Sequence, residues 1–330
     1  MIRGCKRALR AALATPSGWR ASAPLRGNPC IVLTYHRVGP STYRFPHLDL
    51  GVFRAQMQWI RANCEPIAPE QLAAAADGRR PRPHVLVTFD DGYRDFYEHA
   101  MPILHDLRIP AVNFLSTAFV DGRELFWWDV VHVAVHASRR RHLTLPWAPS
   151  APIDVDRVGR DRVIRTCKSY LVELSPEALE ERLSQLVEAL GVNPDALVPE
   201  RQVMTWGEVR AARGLATFGG HTHTHVRVTR ASDERVASEI ETCKTRLHAE
   251  LGGAPALFAY PIGDYTPFAK AVLSRLGFRM AFTTYDGDAD RCGDWLAIGR
   301  ISSPGSVGEL AWRLASFGRR EAECRPSAGT

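Results

Sequence analysis

From residue 30 onward, short runs of consecutive apolar residues alternate with segments whose apolar positions recur every three to four residues. The runs at 30–35, 84–89 and 111–115 read as strands buried on both faces. Further strands are expected at 215–218, 257–260, 280–284 and 298–302. Helices are expected at 93–107, 232–251 and 268–276. The clearest opens at Ser232-Asp233-Glu234, carries the stripe Val236, Ile240, Cys243, Leu247 and Leu251, and stops at Gly252-Gly253. Thr205 and Glu208 have the spacing of a capping box. Repeated strand–helix units imply an α/β fold with a parallel sheet covered on both faces.

The rhythm is interrupted between about 121 and 200, which reads as an insertion. Phe126-Trp127-Trp128-Asp129 opens it with a helical stretch to about His136, and Pro146, Pro149 and Pro152 mark a loop. A second helix starts at the Ser175 cap with Pro176 in its first turn. Its apolar face is Leu179, Leu183, Leu186, Val187 and Leu190, and Gly191 ends it. Residues 1–29 form a basic N-terminal leader that is expected to fray. The near-helical spacing of Ile2, Cys5, Leu9 and Leu13 also permits a helix lying on an anionic membrane surface. Residues 319–330 read as a disordered tail.

Charge and cysteine content narrow the partners. The 330 residues carry 42 Lys and Arg against 36 Asp and Glu, a formal charge of +6. No basic run is interleaved with aromatics as a nucleic-acid groove would be, so no nucleic-acid partner is expected. An anionic glycan, a lipid headgroup or simple solubility suits the balance better. The seven cysteines are odd in number and include no C-x-x-C pair, which argues for a reducing compartment and against a cysteine zinc site. The longest apolar stretch of the leader, residues 11–14, is too short for a signal-peptide core. The expectation is a cytoplasmic protein, with peripheral contact to the inner membrane through the basic N-terminus as a second expectation.

Two strings carry candidate chemistry. Asp90 and Asp91 follow an expected strand directly and precede Gly92. Neighbouring strand side chains point to opposite sides, so the two carboxylates can take different tasks where glycine lets the backbone turn. The plain alternative is a turn-forming Asp-Asp-Gly. The second string is Gly220-His221-Thr222-His223-Thr224-His225. On a helical turn, His221 and His225 would share one face and could share a cation, with His223 pointing elsewhere; the alternative is a polar loop with incidental histidines. One Asp and two His leave open metal positions, and the spare Asp can act as a base. That set suits metal-assisted hydrolysis of an amide.

At these residues the chain resembles the polysaccharide deacetylases of the NodB-homology type, carbohydrate esterase family 4, in their exopolysaccharide subgroup. Thr88 to Gly92 is similar to the first family motif, His221 to His225 to the second, and Phe258 to Gly263 to the third. Tyr35-His36-Arg37-Val38 is similar to a strand-end signature of the subgroup. The likeness covers about residues 30 to 305. It implies a distorted or incomplete (β/α) barrel over 30–318, with 121–200 inserted. It also implies Asp90 as general base, and Asp91, His221 and His225 as ligands of a divalent metal. Zinc is the default; nickel, cobalt and iron also suit such donors. Metal-bound water would attack the N-acetyl carbon, with backbone N–H groups near Gly92 or Ile262 helping to hold the oxyanion.

The departures from the family pattern are specific. Ala259 stands where an Arg orients the base, and Ile262 where a Tyr is usual. Arg300 is the replacement candidate for that Arg. No histidine follows His248, so the C-terminal acid motif is missing, and His36 is the candidate acid. Asp294-Trp295 matches the fourth motif only in part, with Arg291 where its first Asp would stand. Tyr93, Tyr260 and Trp128 are expected to form an aromatic platform for sugar. The expected substrate is an N-acetylated polysaccharide or lipid-linked glycan. The alternatives are hydrolysis of other non-peptide C–N bonds in small molecules, such as cyclic ureides, and an inactive glycan-binding domain.

Overall fold

The apolar runs become the strands of one parallel sheet. The computed structural model describes residues 2–23, 28–41, 43–77, 81–122, 125–198, 200–253, 256–287, 289 and 293–317. The strands are β1 Cys30–Tyr35, β2 Glu65–Pro66, β3 His84–Phe89, β4 Ala111–Leu115, β5 His142–Leu145, β6 Ala148–Asp154, β7 Thr217–Gly220, β8 Leu257–Ala259, β9 Met280–Phe282 and β10 Ile301–Ser302. Eight of them form the main sheet in the order β10-β1-β3-β4-β7-β8-β9, with β2 against β3. The sheet curls into a half-barrel with helices around it.

Strand alternation divides the core in two. Cys30, Val32, Leu86, Val112, Phe114, Leu257 and Ala259 pack together on the inner side. Ile31, Leu33, Tyr35, Val85, Val87 and Phe89 pack outward against helices that include Leu50–Asn63. Both faces are apolar, which explains the unbroken apolar runs in the sequence.

The expected helices form with their signals in place. Asp233–Leu251 is capped by the Ser232 side chain and closed by left-handed Gly252. Pro176–Leu190 is capped by Ser175 and closed by left-handed Gly191. Thr205 and Glu208 make a reciprocal capping box. The 93–107 stretch divides into a π-helical turn, Phe96–Ala100, and an α-helix, Met101–Asp106.

Some expectations need correction. The proline-marked loop at 146–152 is part of an antiparallel hairpin, β5 with β6; its burial alternates along β5, and β6 lies largely at the surface, where proline costs little as an edge residue. The helices Leu50–Asn63, Arg160–Leu171 and Val307–Phe317 carried no strong sequence signal. The leader is not frayed over its described part. Helices Ile2–Ala14 and Pro16–Ala21 form, and Leu13 and Trp19 are buried in the main core. Trp59 Nε1 donates to the Ala14 carbonyl at 3.1 Å. The Val307–Phe317 helix supplies the surface that Ile2–Ala14 packs on, a partner invisible in local sequence. The expected tail at 319–330 lies outside the described residues, as do Arg291, Cys292 and Cys324.

The insertion has a core of its own. Val131, Val135, Leu143, Leu145, Val163, Ile164, Cys167, Leu171, Leu186 and Leu190 form a separate buried cluster. The described Cys30, Cys64, Cys167 and Cys243 are buried. Among the described residues, no helix is long and apolar enough to cross a membrane.

Gly219 in β7 has no room for a side chain: a Cβ there would lie 2.6 Å from the Phe114 ring and 2.7 Å from the Leu257 carbonyl oxygen. Gly219→Ala is expected to destabilise the fold by about 1–3 kcal/mol, read as a lower urea midpoint with unchanged slope.

Candidate active site

β3 ends at Phe89, and the next two residues separate. Asp90 continues the inward-facing row of Leu86 and Thr88 and meets Arg300 inside the half-barrel. Arg300 Nη1 donates to Asp90 Oδ1 at 2.8 Å and Nη2 to Oδ2 at 2.7 Å. Arg300 also donates to Thr88 Oγ1 at 3.1 Å and to the Thr283 carbonyl at 2.8 Å. Asp91 and Gly92 are both left-handed, each with φ 77°. A Cβ on Gly92 would stand 2.8 Å from Leu115 Cδ2, so glycine is required twice over. This turn swings the Asp91 carboxylate away from Asp90 and toward the histidine loop.

The histidines converge through a loop rather than the expected helical turn. His221 follows β7 and donates its N–H to the Leu115 carbonyl at 3.0 Å. Thr222 and His225 are left-handed, each with φ 59°. Buried Glu239 holds the loop, accepting from His223 N at 2.9 Å, Thr224 N at 2.7 Å and Thr224 Oγ1 at 2.7 Å. His221 Nδ1 lies 2.7 Å from the Ala259 carbonyl. An acceptor there places the proton on Nδ1 and leaves Nε2 free as a ligand. His221 Nε2 lies 3.4 Å and His225 Nε2 3.3 Å from Asp91 Oδ1. His223 turns aside, with Nδ1 2.9 Å from Thr117 Oγ1.

These three side chains fit a divalent cation. Their donor atoms lie within 4.8 Å of one another. Asp91 Oδ1 is buried without a hydrogen-bond partner, an arrangement that is costly unless another electropositive group meets it. Burial pushes the Asp91 carboxyl up, but the contacts of His221 and His225 outweigh it and hold the group well below the usual range. For Asp90, burial is likewise outweighed by the Arg300 charge and hydrogen bonds, and the carboxyl stays ionised. Burial alone would depress His221, yet Asp91 and Asp90 raise it, so the site favours positive charge. Burial keeps His225 below its usual value, in the neutral form a metal requires.

A cleft of about 370 Å³ opens over this set, bordered by His36, Trp128, Lys168 and Thr284 among others. His36 Nε2 stands 3.9 Å from Asp90 Oδ2 with its side chain half exposed. Trp128 reaches the cleft, and its ring centroid lies 4.5 Å from that of His225. Tyr93 borders the cleft but is buried: Arg37 covers its ring at 3.6 Å, and its hydroxyl accepts from Trp128 Nε1 at 2.8 Å and donates to Asp129 Oδ2 at 3.2 Å. Tyr260 does not join an aromatic platform. It is fully buried beside Phe258, with its hydroxyl on the Leu296 carbonyl at 2.9 Å. β8 ends at Ala259, so the Tyr260 ring turns into the core.

Sequence reading assigns no role to Lys168, Glu239 or the Arg37–Asp129 pair. Arg37 is buried and pairs with Asp129 at 2.7 Å, joining the strand-end segment after β1 to the insertion. Lys168 and Glu239 look like ordinary helix-surface charges. Ile262 occupies a left-handed conformation at φ 64° and is 43% exposed at the mouth of the cleft, an unfavourable geometry for a β-branched residue.

A curled parallel half-barrel with an Asp–Asp pair and a paired-histidine loop at the carboxyl ends of its strands is the architecture of a carbohydrate deacetylase domain. Residues 77–143 and 198–281 match the family model described as polysaccharide deacetylase. The gap in that match falls within the insertion. The chain carries a polysaccharide deacetylase domain. It is 25% identical over 280 residues to the poly-beta-1,6-N-acetyl-D-glucosamine N-deacetylase of Escherichia coli K12, an alignment covering 82% of this chain and 36% of that protein. The chain thus spans about a third of that relative's length. In fold it is similar to IcaB from Ammonifex degensii, with TM-score 0.58, 22% identity and coverage of 88% of this chain and 98% of that one. It is equally similar to the Streptococcus pyogenes deacetylase PplD, with TM-score 0.58, 18% identity and coverage of 87% and 99%.

Arg300→Met is expected to leave Asp90 as an uncompensated buried charge and to cost about 3–5 kcal/mol in denaturant unfolding. Asp95 yields a pH prediction. Burial pushes its carboxyl up to about 7 against the Arg37 charge. A raised carboxyl contributes stability below its unfolded value that is lost as pH rises through about 7. Asp95→Asn should flatten that part of the stability–pH curve.

Proposed function

We propose that this protein is a metal-dependent N-deacetylase acting on N-acetylated sugars of a glycan. The observation that carries this reading is the convergence of Asp91, His221 and His225, with Asp91 Oδ1 unsatisfied, beside an Asp90 kept ionised by Arg300. The name of the Escherichia coli relative supports β-1,6-linked N-acetylglucosamine as the first substrate to test.

Asp91 and the two Nε2 atoms would hold the cation, zinc by default. When bound, it supplies Lewis-acid polarisation and lowers the pKa of water. Asp90 takes a proton from the attacking water. The Arg300 fork keeps its carboxylate oriented, replacing the Arg that Ala259 displaces from the third motif. His36, within reach of Asp90 and open to the cleft, delivers a proton to the leaving amine, since an amide nitrogen departs poorly as an anion. Trp128 offers its aromatic edge and face to the sugar.

Acetate release from β-1,6-linked N-acetylglucosamine oligomers tests the reading. Asp90→Asn should lower the rate by about 10²–10⁴-fold. A chelator should abolish release, and added zinc should restore it in the parent but not in His225→Ala. Release that persists unchanged in Asp90→Asn and His225→Ala would remove the reading.

A further inference from the structure

The insertion separates two cavities that nearly touch. One is the cleft over Asp91. The other is an apolar groove of about 170 Å³ whose lining includes Phe119, Leu125, Val130, Leu174, Leu179 and Leu183. His225 and Ile262 border both, so the groove and the cleft lie side by side at a proposed metal ligand. The dividing wall is amphipathic at two points. Consecutive Trp127 and Trp128 line the groove and the cleft respectively, and Val172 and Lys168, one helical turn apart, do the same.

The charges also divide. At the groove, Arg227 and Arg230 are both taken by Glu173, and Arg227 also by Asp264. In the cleft, Asp90 is neutralised by Arg300 and Asp129 by Arg37. Lys168 is partly buried, and among the described residues its ammonium makes no ion pair or hydrogen bond; the anion that acts on it, Asp129, is already paired with Arg37. Its ammonium therefore faces the cleft as a cation with no ion-pair partner to itself among the described residues.

We propose that the substrate is an amphiphile: an N-acetylated sugar joined through a phosphate to a hydrocarbon chain, with the acetamido group at Asp91, the phosphate at Lys168 and the chain in the groove. This inference rests on the deacetylase reading above and names the form in which the sugar arrives. A hydrocarbon chain has no polar group for the groove to satisfy, and its burial is favourable along the whole lining. A phosphate meets the one cation that the cleft leaves uncompensated.

The test is calorimetric binding to the full chain. The probes are N-acetylglucosaminyl phosphate carrying a decyl chain (kept below its micelle concentration), the same sugar phosphate without the chain, and a β-1,6-linked N-acetylglucosamine pentamer. The decyl compound should bind at least about tenfold tighter than the chainless one. Leu179→Gln and the groove-filling Leu179→Trp should each remove that gain and leave chainless binding unchanged. Lys168→Met should weaken both phosphates without affecting the pentamer. Equal affinity with and without the chain, or a gain that survives both Leu179 variants, overturns the inference. So does pentamer binding that Leu179→Gln weakens, because the groove would then hold sugar. Acetate release from the pentamer is followed in parallel. Release without a chain-dependent gain refutes the amphiphile alone, and chain-dependent binding with no release from any probe refutes the hydrolase alone.

Discussion

One buried fork holds the open half-barrel and its chemistry together. Arg300 sits fully buried just before β10 and reaches the carbonyl of Thr283 past the end of β9, Thr88 in β3 and both oxygens of Asp90. β9 and β10 are the two edges of the sheet, so the same guanidinium that orients the carboxylate also links those edges. A cation this deep is tolerable only because its carboxylate partner and neutral acceptors surround it. The ionised state of Asp90 follows from closure of the fold, not from anything near Asp90 in the chain.

The second constraint is backbone handedness. Asp91, Gly92, Thr222 and His225 all lie in the left-handed region, which L-residues avoid. Strain of this kind persists only where surroundings over-determine it. Here the surroundings are visible: Leu115 blocks any side chain at Gly92, and Glu239 ties down His223 and Thr224. The convergence of Asp91, His221 and His225 is therefore set by the packing of β3, β4, β7 and the Asp233–Leu251 helix.

The insertion makes the site particular. The half-barrel provides the carboxylates and imidazoles, while the insertion adds Trp128, Asp129 and Lys168 to the cleft and most of the wall of the apolar groove. Its separate core lets it form that wall without disturbing the strands. The Arg37–Asp129 pair fixes it to the segment that follows β1 and carries His36.

The sequence by itself determined the βα rhythm and the long capped helices, because doubly buried strands and capped helices leave local signatures, and its two motif strings singled out Asp90, Asp91, His221 and His225 as candidates. It also pointed to Arg300 for Asp90 and His36 for the cleft, through departures from the family motifs. Tertiary structure decided the rest. Tyr260 looked like a cleft residue and became core, since the three-residue strand β8 ends just before it. The histidine pair looked helical and became a strained loop, because Glu239, fourteen residues beyond His225, holds it. The leader found the Val307–Phe317 helix at the other end of the chain. Each of these outcomes depends on contacts between residues far apart in the chain, and local hydrophobic pattern carries no record of them.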